Sequence, residues 1–243
     1  MTVSGEAFTT DAFLSGAMRL VQPVRGYRAG ADAILLAAAV EAPAGATLLE
    51  AGCGAGAALI AAATGLAELR FVGIERDQAA LALARENVRL NGLEGRVEVV
   101  EGDALATGAP FDGVFANPPF DEEGAPEPLA ERRSSYLSET GVEDWIKALS
   151  NRLKGGARLT LIQRAIHLPA ILTALEGRLG GVEVFPIRPN AEQPAKRVLV
   201  RAGKGSRAPL RLLKGLDLHD SSGAKFTPEA DAIFKGEARV AWR

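Results

Sequence analysis

Short apolar runs alternate with longer helical stretches along most of this chain. The runs "TLLEA" (47–51), "RFVGIE" (70–75), "RVEVV" (96–100) and "FDGVFA" (111–116) are too short for helices. Between them lie a small-residue stretch reaching Thr64 and a segment from 77 to about 91, both rich in helix formers. Strand-length runs joined by helix-length connections predict βαβ units, a parallel sheet and hence an α/β fold. Upstream, "ADAILLAAAVE" (31–41) predicts a helix that stops before "APAG" and follows the glycine-punctuated loop "QPVRGYRAG". Downstream, "DWIKALSNRL" predicts a helix ended by "KGG", "ARLTLI" a strand and "LPAILTALEGRL" another helix. "VEVFPI" and "RVLVRAG" predict an antiparallel hairpin at the sheet edge. No repeat or long linker divides the chain. The expected organisation is a core over 46–203, an N-terminal loop-and-helix extension over 1–45, and a C-terminal tail over 204–243 packed on the core.

Candidate chemistry gathers where the strands should end. "LLEAGCGAG" places Gly52, Gly54 and Gly56 between a strand and a helix, where glycine allows a tight turn and close approach of a ligand to backbone amides. Ala57 also completes a dinucleotide-type G-x-G-x-x-G/A spacing, so the loop alone leaves a nicotinamide cofactor open. Glu75 closes the second strand, a position from which a carboxylate accepts hydrogen bonds from both hydroxyls of a ribose. Asp103, past the third, can accept from an adenine amino group, whereas Asp77 is expected to cap its helix. The fourth strand ends in "NPPF". Two prolines remove two backbone donors and stiffen the turn, presenting the Asn117 side chain, the Pro118 carbonyl and the Phe120 ring. In an open parallel sheet these strand ends converge on one crevice.

"LLEAGCGAG", Glu75, "EGDA" and "NPPF", in this order and spacing, resemble the class I S-adenosylmethionine-dependent methyltransferases. "QPVRGYRAGADAILLAAA" and "LHDSSGAKFTPEA" narrow the resemblance to the bacterial tRNA(Val) adenine-N6-methyltransferases, over about residues 11 to 236. The resemblance implies a Rossmann-like, mostly parallel seven-stranded sheet with helices on both faces. It implies S-adenosylmethionine as cofactor, held by Glu50, Gly52, Gly54, Gly56, Glu75, Asp103, Ala104 and Asn117. Asn117, Pro118 and Phe120 would be catalytic: two acceptors hold an exocyclic amine while the aromatic face stacks the base. Pro119, Phe120, Tyr27, Arg28, Arg197 and Arg201 would meet the substrate, and the loop holding Gln22, Tyr27, Arg28 and Asp32 would close over cofactor or substrate. Packing for Tyr27 and helix capping for Asp32 are alternative roles. The NPPF pattern also occurs in enzymes acting on rRNA guanine N2, DNA adenine N6 and a release-factor glutamine. The glutamine enzymes carry a separate N-terminal helical bundle, for which the roughly 45 residues before the core look too few.

Composition refines this picture. A net charge of −2 over 243 residues does not by itself recruit nucleic acid, so RNA binding must rest on local charge. Between 187 and 214, eight basic residues face the single acid Glu192, a local balance of +7. From 121 to 144, eight acids face only Arg132 and Arg133. Cys53, the one cysteine, is expected to pack rather than react, and no disulfide is needed. The absence of an apolar run near 18 residues, and of a leading basic stretch with an apolar core, predicts no membrane span, no signal peptide and a cytoplasmic location. His167 and His219 lie in unrelated segments, so no metal is expected.

Overall fold

Before the first expected helix comes a hairpin that the periodicity does not announce. In the computed structural model, which describes residues 7–24, 28–118, 141–220, 222 and 224–243, β1 (Phe8–Phe13) pairs antiparallel with β2 (Met18–Pro23). Its turn holds Leu14 and Ser15 at φ 51° and 54°. Turns of that hand are usually marked by glycine or asparagine, and here the marker is missing at both positions. Helix α1 (Ala31–Ala39) follows, with Gly30 rather than Asp32 at its N-cap.

The expected alternation then appears as β3 (Thr47–Ala51), α2 (Ala57–Gly65), β4 (Arg70–Glu75), α3 (Gln78–Leu90), β5 (Val97–Glu101) and β6 (Phe111–Ala116). Asp77 caps α3, its side chain accepting from the Ala80 N–H at 2.8 Å. After the next described stretch begins come α4 (Val142–Asn151), β7 (Leu153–Arg164), α5 (Leu168–Leu175), β8 (Gly180–Arg188) and β9 (Arg197–Gly203). Two short strands, β10 (Arg211–Leu212) and β11 (Leu216–Asp217), and helix α6 (Pro228–Lys235) complete the described chain.

The central sheet runs β10-β8-β9-β7-β6-β3-β4-β5, with β11 also on β8. The seven expected strands are therefore joined by two additional edge strands. All ladders are parallel except those of β9, which pairs antiparallel with both β7 and β8. The expected terminal hairpin exists, but its second strand lies inside the sheet and its first lies farther out.

Period-two alternation sorts the strand residues into two cores. Leu48, Phe115 and Leu199 join the core covered by α1, α2, α3 and α6. Their neighbours Leu49, Val114 and Val198 join the core covered by α4 and α5. Helices on both faces make every central strand apolar on two sides, as parallel strands require. Among the described residues no helix is long and apolar enough to cross a membrane, and no cluster of His, Cys, Asp and Glu could hold a metal ion.

Candidate active site

A crevice of about 460 Å³ opens outside the carboxyl ends of β3, β4, β6 and β7. Its floor is the turn after β3. There Gly52, Gly54 and Gly56 take φ 70°, 54° and 84°, so three left-handed positions within five residues require glycine. The Gly52 and Cys53 N–H groups both donate to the Ile74 carbonyl, pinning the loop to the end of β4. A side chain at Gly54 would meet nothing within 4 Å, because that backbone borders the crevice itself. Cys53 is buried, and its Sγ stands 2.8 Å from where a Gly73 side chain would begin, so it packs as expected.

Two carboxylates flank the loop in contrasting states. Glu75 accepts from the Gly54 N–H on Oε2 at 2.8 Å, and from the Arg76 and Asp77 N–H groups on Oε1 at 2.8 and 2.9 Å. Glu75 also lines the crevice. Glu50 is only 4% exposed, and its Oε2 has no hydrogen-bond partner within the protein. Burial, reinforced by the nearby charge of Glu75, pushes its carboxyl well above the usual range, with a Leu59 backbone hydrogen bond opposing. Asp103, whose Oδ1 accepts from the Leu105 N–H, and Ala104 form the adjacent wall.

Asn117 and Pro118 follow β6 directly and line the same crevice. Pro119, Phe120 and Tyr27 lie outside the described residues. Gln22 is buried at the crevice, donating to Asp11 and accepting from the Ala29 N–H. Arg28 does not line the crevice. Its guanidinium is engaged by Asp11, Thr9 and the Pro23 carbonyl, so it is held against both strands of the β1–β2 hairpin. Asp32 is not a cap: it accepts from Arg197 Nε at 2.9 Å across the crevice rim.

The expectation for Arg201 is corrected. Its side chain is 6% exposed, bound by Glu183 and Glu41, and its guanidinium lies 4.2 Å from the Trp242 ring centre. A cation so enclosed does not reach a phosphate. Trp145 and Gln163 are among the crevice residues that escaped the sequence reading. Trp145 on α4 has the pattern of any buried helix residue. Gln163 carries a signal that was available, a lone amide at the end of the apolar run "ARLTLI".

The family model of the small methyltransferase domain matches residues 29–184. The chain belongs to that family. Among solved structures, a predicted O-methyltransferase from Agrobacterium tumefaciens is 32% identical, with TM-score 0.73 over 86% of this chain and 98% of that one. A Thermus thermophilus 16S rRNA N2 G1207 methyltransferase, solved with AdoMet and guanosine, shares the fold at 19% identity and TM-score 0.56, covering 83% of this chain and 51% of that one. Among curated relatives, a tRNA1(Val) (adenine(37)-N6)-methyltransferase of Bacteroides thetaiotaomicron is 30% identical over 56% of this chain and 59% of its own length. A release factor glutamine methyltransferase of Moorella thermoacetica is 34% identical over 46% of this chain and 41% of its own. This small-domain methyltransferase thus spans less than two thirds of the length of either of these two curated relatives.

Its cofactor is S-adenosylmethionine, and the crevice residues fit that molecule. Glu50, buried with an unpartnered oxygen, suits the ammonium of the methionine part. Glu75 suits the ribose hydroxyls, Asp103 and Ala104 the adenine, and the Gly52 and Gly54 backbone a close-packed methionine moiety.

Proposed function

We propose that the chain transfers a methyl group to an exocyclic amino nitrogen, with adenine N6 in tRNA as acceptor. One observation carries this reading: Asn117 and Pro118 line the same crevice as Glu50, Gly52 and Glu75. When bound, S-adenosylmethionine supplies a sulfonium methyl already electrophilic enough that alignment of the attacking nitrogen is the main requirement. The protein's own part is to hold that nitrogen. An exocyclic amine on a purine shares its lone pair with the ring. Asn117 Oδ1 and the Pro118 oxygen can accept its two N–H bonds, which fixes the amine and favours positive charge developing on it. The prolines contribute no N–H of their own that would compete for these acceptors.

The Bacteroides relative named above supports adenine in tRNA as the acceptor. A release-factor glutamine amide presents the same planar NH₂, and the Moorella relative supports that second reading. The test is transfer of labelled methyl to unmodified tRNA, followed by nucleoside analysis. N6-methyladenosine is expected, and Asn117→Ala should lower turnover by about 100-fold or more while cofactor binding persists. Unchanged turnover in Asn117→Ala would remove the mechanism. Transfer to a release factor but not to tRNA would establish the second reading.

A further inference from the structure

Beyond Ala116, no further register pair joins β6 to β7 among the described residues. The last registered pair is Ala116 with Leu161, so Pro118 lies level with Gln163. Pro118 has no backbone N–H with which to extend the parallel ladder here. The connection is made instead by a side chain: Gln163 Nε2 donates to the Pro118 carbonyl at 2.7 Å. At its other end Gln163 Oε1 accepts from the Arg164 N–H at 2.8 Å. That second bond fixes which end of the amide is which, because an N–H can donate only to the oxygen. The side chain is 7% exposed, with both ends engaged, so it has one orientation.

We propose that Gln163 is a positioning residue for methyl transfer, holding the Pro118 carbonyl so that its second lone pair is presented to the substrate amine. This rests on the amine-methylating reading above. A carbonyl oxygen has two lone pairs, and Gln163 occupies one from the β7 side. The other is available for the amine, at a residue that lines the crevice together with Asn117 and Gln163. Without the amide the carbonyl loses the bond that takes the place of the ladder, and a shift of about 1 Å in an aligned acceptor can cost roughly 100-fold in rate.

The test compares Gln163→Leu and Gln163→Glu with the unaltered protein in methyl transfer, cofactor titration, thermal unfolding and the carbonyl ¹³C resonance of Pro118. Gln163→Leu should move that resonance and lower kcat by about 10- to 100-fold, while the substrate KM, cofactor affinity and melting temperature hold within about twofold or a few degrees. Gln163→Glu still accepts from Arg164 but can donate to Pro118 only when its carboxyl is protonated. Its deficit should therefore shrink as pH falls, a dependence that mere packing would not produce. The proposal is overturned if kcat of Gln163→Leu stays within about twofold, if its loss tracks cofactor affinity or melting temperature, or if the Gln163→Glu deficit is the same at every pH. A Pro118 resonance unmoved in Gln163→Leu overturns the contact itself, whether or not transfer is seen. Absence of transfer to any amine acceptor by the unaltered protein, with the Pro118 shift present, is the distinct failure of the underlying reading.

Discussion

Glu50 is buried beside a second carboxylate with one oxygen unpartnered, and burial raises its pKa, which favours the protonated carboxyl. The folded protein holds this proton more tightly than the unfolded chain. Its contribution to stability is therefore complete below the ordinary carboxylate pKa and is lost as pH rises through the folded value. A cation placed beside Glu50 reverses the preference, so cofactor binding should release a proton. We expect Glu50→Gln to raise the melting temperature of the cofactor-free protein at neutral pH and flatten its pH dependence, while weakening cofactor binding. Calorimetry in buffers of different ionisation enthalpy should show the proton release vanish in this variant. The sequence marked Glu50 only by its place before the glycines; its missing partner is a fact of packing that no local pattern encodes. Gly52, Gly54 and Gly56 were readable because left-handed backbone restricts residue choice at the position itself.

At the scale of elements, the strands 47–51, 70–75, 111–116 and 197–203 begin and end where the apolar runs do. These strands are covered on both faces, so burial writes itself into consecutive residues. The β1–β2 hairpin was unreadable for the opposite reason: it stands apart from the central sheet, alternates with threonine and charge, and turns without glycine at Leu14 and Ser15. β7 starts at Leu153 because the "KGG" read as a helix stop falls within a strand whose register shifts between its pairings with Phe111 and Gly113. The elements at the far edge are tied by charge. Glu183 on β8 accepts from Arg158 on β7, Arg201 on β9 and Arg211 on β10, at 3.2, 2.6 and 2.9 Å. Removing one partner of a buried ion pair strands the other. Glu183→Ala should lower the unfolding free energy by about 3 kcal/mol in urea titrations, with cofactor affinity unchanged, because Glu183 is no part of the crevice.

On the whole molecule, the basic stretch 187–214 is one patch in sequence and two in space. β9 carries Arg197 at the crevice end and Gly203 at the other, about 20 Å apart. Lys196 is exposed at the crevice end. At the far end Lys204 is committed to the Ser150 and Leu153 carbonyls, while Arg207 is exposed. With RNA as the acceptor, Lys196→Glu should weaken binding and reduce the slope of log affinity against log salt by about 1. Arg207→Glu should leave that slope as it is, and equal effects would remove the crevice end as the footprint. The position of β9 between two strands made before it has one more consequence, for biogenesis. During synthesis β7 and β8 emerge first and cannot be joined, since each waits for the same absent neighbour. Until residue 203 leaves the ribosome, both present open backbone edges of apolar strands, the configuration most prone to pairing with a foreign chain. Chaperone dependence should therefore peak in nascent chains from which β8 has emerged but residues 197 to 203 have not, and fall abruptly once the missing strand has emerged.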